Sequence, residues 1–167
     1  MQEMIEKAIA ELKQYFILDE KRVGYGIKVL KHAEEIAEQE QIQDEKMKQV
    51  IVFTALFSHI GIQEAEKKHR STGGKYQELE GPPIAKEILE RLGVEKDVID
   101  RTLYIIGHQY TFNKIDGIDF QIIWEAKLLV NLEEKNLYHD QQLYPDMDRI
   151  FSTQAGKEKL KKLFNIT

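Results

Sequence analysis

The sequence predicts an all-helical single domain, and three observations carry that expectation. Glycine and proline, which punctuate strands and turns, number only 10 and 3 in 167 residues, while Ala, Leu, Ile, Glu and Lys are abundant. Apolar residues recur at helical spacing along nearly the whole chain. A chain of this length buries roughly 68–70% of its unfolded surface, so its core needs no disulfide or structural metal. Cysteine is absent, which excludes disulfide scaffolds and thiolate zinc sites.

The elements follow in order. From Gln2 to Leu18, Ile5, Ile9, Leu12 and Phe16 form one apolar stripe, the pattern of an outer amphipathic helix. A second helix spans Arg22 to Gln41 with Asp19 placed to cap it, and Tyr25, Val29, His32 and Ile36 share a face that points His32 inward. A third runs from Asp44 to Gly61. Its second half, IVFTALFSHI, is apolar nearly all round, as a central helix should be, and Thr54, Ser58 and His59 are its only polar interruptions. A short helical stretch from Gln63 to His69 leads into an irregular segment, Arg70 to Lys75. Pro82 and Pro83 are expected to open the next helix, where missing amides cost nothing, and Gly93 to close it. Lys96 to Gln109 is helical, Tyr110 to Gly117 a loop, and Asp119 to Lys135 a long helix containing the apolar run IIWEAKLLVNL. The tail holds a helical turn near Met147 and a basic amphipathic helix, Lys157 to Phe164, with Thr153 as a cap. This gives seven or eight helices in one domain without repeats or linkers.

Charge narrows the function classes. Twenty-four Lys and Arg against 29 Asp and Glu leave a net charge of −5, with both signs spread along the chain. A dedicated nucleic-acid binder would show a basic patch instead, so the expected partners are small molecules or proteins. No apolar run approaches a membrane span, and MQEMIEKAIAELK is too acidic and interrupted for a signal peptide, so a cytoplasmic location is expected.

Three polar features fall where burial is expected, and buried polar groups must be paired or functional. His32 reads either as a satisfied core histidine or as a ligand. Ser58 and His59 are adjacent in sequence and so ~100° apart around a helix, which prevents their acting as a nucleophile and base side by side. Lys127 sits among Ile122, Ile123, Trp124, Leu128, Leu129 and Val130. It requires an anionic partner, a bound anion or a depressed pKa. Glu125 points to the other side of the helix and Asn131 is neutral. His108 complements a helix C-terminus, while His69 and His139 are expected to be solvated. The sequence Gly73-Gly74-Lys75 lacks the upstream Gly, the following Ser or Thr and the preceding strand of a phosphate-binding P-loop.

In order, His32 with AEEIA, ALFSHIG, YQELEGPPIAKEIL, IIGH and WEAKLLVNL resemble the HD-domain phosphohydrolase superfamily over Val23 to Phe164. The similarity is greatest to a bacterial branch with GKYQE-x-EGPPIA, IDG-x-DFQI and EA-x-x-LVN, present here as Gly74 to Ala85, Ile115 to Ile122 and Glu125 to Asn131. The resemblance implies an N-terminal helix over 1–20, an HD core over 21–136 and a helical tail over 137–167. It also implies a divalent metal held by a first-helix His, a consecutive His-Asp pair and a late Asp. His32 matches the first of these, but Ser58-His59 replaces the pair and Lys127 the late Asp. At Gln77, Gln109 and Tyr110 further ligands of the family are missing as well. Two carboxylates are lost and one cation gained, a change of about three charge units against a divalent metal, and a protonated lysine has no lone pair to offer.

The expected function is therefore a catalytically impaired HD-like protein that binds a phosphate-bearing ligand or nucleotide through His32, Ser58, His59 and Lys127, with Arg70, Lys75, Gln77 and Glu78 beside them. Two alternatives stay open. One is an active phosphohydrolase whose zinc, manganese or iron is held by a rewired set of His32, His59 and His108. The other is a structural or homo-oligomerising helical protein with a collapsed pocket.

Overall fold

The computed structural model describes residues 1–166, and among these every regular element is helical. The nine α-helices are α1 (Gln2–Phe16), α2 (Glu20–Gln39), α3 (Glu45–Phe57), α4 (Ile62–His69), α5 (Gly74–Arg91), α6 (Lys96–His108), α7 (Ile118–Glu134), α8 (Tyr144–Ile150) and α9 (Gln154–Leu163). Two single 3₁₀ turns, Phe112–Lys114 and Leu137–His139, interrupt the connections. No helix is long and apolar enough to cross a membrane among the described residues.

The two helices that are apolar all round lie at the centre. α3 packs against α1, α2, α6 and α7, and α7 packs against α2, α3 and α9. Phe53, Leu56, Phe57 and Ile60 are fully buried from one side of this core, and Phe120, Ile122, Ile123 and Leu129 from the other. Each such side chain contributes about 1.5–3 kcal/mol by leaving water. Asp19 caps α2 by accepting from the Arg22 amide at 3.1 Å, Asp44 caps α3 by accepting from the Met47 amide at 2.8 Å, and Thr153 caps α9 by accepting from the Gly156 amide at 2.9 Å.

Pro82 and Pro83 do not open a helix. They lie inside α5, which begins eight residues earlier at Gly74, so only 70–73 of the expected irregular segment is irregular. The two missing amides should break a helix, but tertiary contacts clamp this one on both sides of the defect. A Cβ on Gly61 would lie 2.5 Å from the Gly81 amide nitrogen, and a Cβ on Gly107 would lie 3.5 Å from the Pro82 ring. The first contact brings the backbone at the start of α4 directly onto α5, an approach only glycine permits. α3 also stops earlier than its pattern implies, at Phe57, and Ser58 to Gly61 form the corner leading into α4.

Two polar networks, a partly exposed ion cluster and a buried carboxylate, fix the peripheral helices. Arg101 donates to both Asp119 oxygens, at 2.9 and 2.8 Å, and to Asp116 at 2.7 and 3.2 Å, which joins α6 to the start of α7. Glu125, fully buried, accepts from the Ser152 and Thr153 amides at 2.7 and 3.0 Å, from the Thr153 hydroxyl at 2.5 Å and from the Gln121 amide at 2.6 Å. It thereby binds the entry of α9 to the middle of α7.

Because the Gly61–Gly81 approach is backbone against backbone, Gly61→Ala is expected to lower stability by about 2 kcal/mol or more. Gly24, inside α2 with open space where its Cβ would be, should respond to Ala with a gain of roughly 0.5–1 kcal/mol. Denaturant melts of the two variants test the pair; changes of the same sign would contradict this packing.

Candidate functional site

The buried lysine is the centre of the site. Lys127 is 6% exposed, and its Nζ donates to Gln109 Oε1, with the Tyr110 hydroxyl oxygen at 3.4 Å and the Tyr110 ring centroid at 4.4 Å. Among the described residues no carboxylate pairs with it; its partners are Gln109 and Tyr110. Both acceptors are themselves held. Gln109 donates through Nε2 to the carbonyls of Ser58 and, at 3.1 Å, Ile106, which turns Oε1 toward the lysine. Tyr110 donates to Gln77 Oε1 at 3.3 Å, and Gln77 Nε2 donates to the Thr72 carbonyl at 2.8 Å. Glu78 accepts from the Tyr110 amide at 2.8 Å and the Thr111 hydroxyl at 3.0 Å, so it anchors the turn that carries the tyrosine. Gly74 lies beneath the same ring, where a Cβ would meet Tyr110 Cγ at 2.6 Å.

Burial dominates the electrostatics. Desolvation pushes the Lys127 amine down to about 7, opposed only by the charge of Glu78. His59 is likewise buried and pushed down to about 4, chiefly by desolvation, with the nearby Lys127 charge acting in the same direction. Its Nε2 lies 2.5 Å from the Arg22 carbonyl, which can only accept, so the proton sits on Nε2. Among the described residues the lone pair of Nδ1 has no partner, and neither has the buried Ser58 hydroxyl. Phe16 and Tyr25 rings pack on the imidazole at 5.2 and 4.9 Å. Tyr25, its own pKa raised by burial, donates to Asn131 Oδ1 at 3.2 Å.

Of the residues expected at the site, the structure gathers Ser58, His59, Gln77, Glu78 and Lys127, and leaves out His32, Arg70, Lys75 and His108. His32 lies two helical turns beyond Tyr25 along α2, where Nε2 meets Glu133 at 2.6 Å and Nδ1 accepts from Lys159 at 3.2 Å. Arg70 is exposed at the left-handed end of α4, and Lys75 lies over the Tyr76 ring at 4.9 Å. His108 Nδ1 donates to the Tyr104 carbonyl of its own helix at 2.7 Å. His69 is not solvated as expected; it stacks on Tyr76 and meets Glu80 at 2.9 Å.

The three imidazoles therefore do not fit a metal. His32 and His108 are engaged elsewhere, His59 offers one free nitrogen, and among the described residues no group of three or more His, Asp or Glu stands close enough to hold an ion. Gln109 and Tyr110, which sequence reasoning noted only as missing ligands, are the residues in contact with the lysine. Their signal was position: they follow directly on His108, the last residue of α6.

Well-formed clefts lie elsewhere on the surface, among them a groove of about 350 Å³ floored by Ala37, Ile42, Ile51 and Val52, and none of these reaches His59 or Lys127. The space over the amine is closed by Tyr110, which is itself 44% exposed. The chain matches no family model, no curated protein and no solved structure.

Between about pH 7, where folded Lys127 titrates, and ~10.4, where an unfolded lysine does, the unfolded chain holds the extra proton. Stability should therefore rise with pH across that window, at up to ~1.4 kcal/mol per unit for one proton. Below pH 6.5 the depressed His59 acts likewise, and stability falls toward pH 4. Lys127→Met is expected to gain most over the parent at pH 6.5 and least near pH 10. Parallel stability curves for the two proteins across pH 6.5 to 10 would show that the amine is not buried as described.

Proposed function

We propose that this protein is a metal-free, HD-like helical domain that binds an anionic, phosphate-bearing ligand over Lys127. A single observation carries the reading. Lys127 is a buried group able to become a cation, no carboxylate pairs with it, and it is covered by one partly exposed tyrosine. Buried charges are otherwise paired, so an anion beside this amine gains most. Turning the Tyr110 side chain aside admits the phosphate. Its oxygens accept from the amine, from the Tyr110 hydroxyl and from the Ser58 hydroxyl, which is buried without a partner. Binding draws a proton onto Lys127, because an adjacent anion favours the ammonium form.

The order of motifs from His32 to Asn131 supports the HD-like part of this reading, and the lysine at the position of the family's late Asp supports the absence of metal. His32, remote from Lys127 in the fold, is no part of the ligand set.

Calorimetric titration with inorganic phosphate and with adenosine monophosphate tests the proposal. At pH 8, comparison between buffers of different ionisation enthalpy should reveal uptake of close to one proton per site. Lys127→Met should weaken binding by about 10–100-fold, the loss of one charge-assisted hydrogen bond of ~1.5–3 kcal/mol. No heat with either anion at low ionic strength, or unchanged affinity in Lys127→Met, would overturn it.

A further inference from the structure

Donor counting at Lys127 leads beyond anion binding. An ammonium has three N–H donors and a neutral amine two. The side chain meets two acceptors, Gln109 Oε1 and the Tyr110 hydroxyl oxygen. Neither acceptor can reverse its role by an amide flip or a rotation without breaking other bonds, since Gln109 Nε2 is held by the Ser58 and Ile106 carbonyls and the Tyr110 proton by Gln77. Among the described residues, these two acceptors satisfy a neutral amine in full and leave its lone pair free, whereas an ammonium would keep one donor unpaired in the interior. The groups that face the amine are neutral or distant: Gln109, Tyr110 and the buried neutral His59, with Glu78 acting only through its field.

We propose that Lys127 is a nucleophilic lysine that captures small aldehydes as an imine. The lone pair of Nζ attacks the carbonyl carbon, forming the C–N bond as the C=O π pair moves to oxygen. One N–H proton passes to that oxygen through the Tyr110 hydroxyl, which accepts from the amine while its own proton leaves Gln77 Oε1 for the alkoxide, whose charge outcompetes the neutral amide as acceptor, and a carbinolamine results. The second N–H proton follows the same route; the C–O bond breaks, water leaves, and the nitrogen pair closes the C=N bond. Amine and aldehyde thus yield imine and water, and Tyr110 ends unchanged. A small uncharged carbonyl suits the site because the Tyr110 ring covers the amine, its centroid 4.4 Å from Nζ, and because the lysine is uncharged before it reacts.

The proposal uses the same lysine as the phosphate site but does not depend on phosphate binding. Incubation of the full chain with glycolaldehyde and cyanoborohydride at pH 7.5, followed by peptide mass mapping, provides the test. At this pH about one in a thousand ordinary lysines is neutral, so Lys127 should be alkylated at least tenfold faster than any exposed lysine. Gln109→Glu, which sets a carboxylate beside the amine and keeps it protonated, should slow that labelling at least tenfold while the melting temperature holds or rises. Tyr110→Phe should slow it several-fold through loss of the relay. Labelling of Lys127 no faster than that of exposed lysines, or undiminished labelling in folded Gln109→Glu and in Tyr110→Phe, would overturn the assignment. Labelling without phosphate affinity would refute only the preceding reading, and phosphate affinity with proton uptake but without labelling would refute only this one.

Discussion

Everything at the centre of this protein depends on α7 being buried over most of its surface while carrying, in its middle, Glu125 and Lys127, which point in opposite directions. An interior helix has no water to offer a charge, so Glu125 and Lys127 must each find a solution inside the fold. Glu125 finds donors: two backbone amides and a hydroxyl at the head of α9, and the Gln121 side chain. That solution also joins the C-terminal segment to the core. Lys127 finds only neutral acceptors, and the structure resolves its cost by depressing its proton affinity rather than by pairing it.

The two solutions separate scaffold from site. Glu78, whose charge acts on Lys127, is held by the turn carrying Tyr110, while Asp116 and Asp119 pair with Arg101 and Glu133 with His32. What remains around the amine is a shell of amide, hydroxyl and imidazole groups whose orientations are fixed by backbone carbonyls. Such a shell is selective. Its two acceptors satisfy an uncharged amine and leave one donor of an ammonium unpaired. The two captures proposed above, of an anion and of a carbonyl, differ in whether a proton accompanies the ligand.

The motifs acquire physical meanings in this arrangement. In GKYQELEGPP, Gly74 makes room for the Tyr110 ring, Gln77 orients its hydroxyl, Glu78 holds its amide, and Gly81 admits the backbone of Gly61. In IDGIDF the two aspartates embrace Arg101. These stretches, read from the sequence as signs of a metal-dependent hydrolase family, act in this chain as supports for a tyrosine and a lysine. The helices themselves were legible, because their apolar periodicity reflects burial directly. Pro82 and Pro83 were misread because local backbone chemistry predicts a helix start, and only the contacts with α4 and α6 hold the helix through them.

From the sequence alone follow the all-helical class, the central position of the helices around Phe53 and Leu129, the caps at Asp19 and Thr153, and the singular position of Lys127 in an apolar run. Those features are local: periodicity, capping and the cost of burying a charge act within a few turns of chain. Which of the expected residues meet was decided by tertiary structure. His32 shares its helical face with Tyr25, yet one of them reaches Glu133 and the other His59, because residues two turns apart on α2 face different stretches of the helices packed across it. Gln109 and Tyr110 reach Lys127 only because α6 ends against α7, a juxtaposition that no spacing in the sequence records.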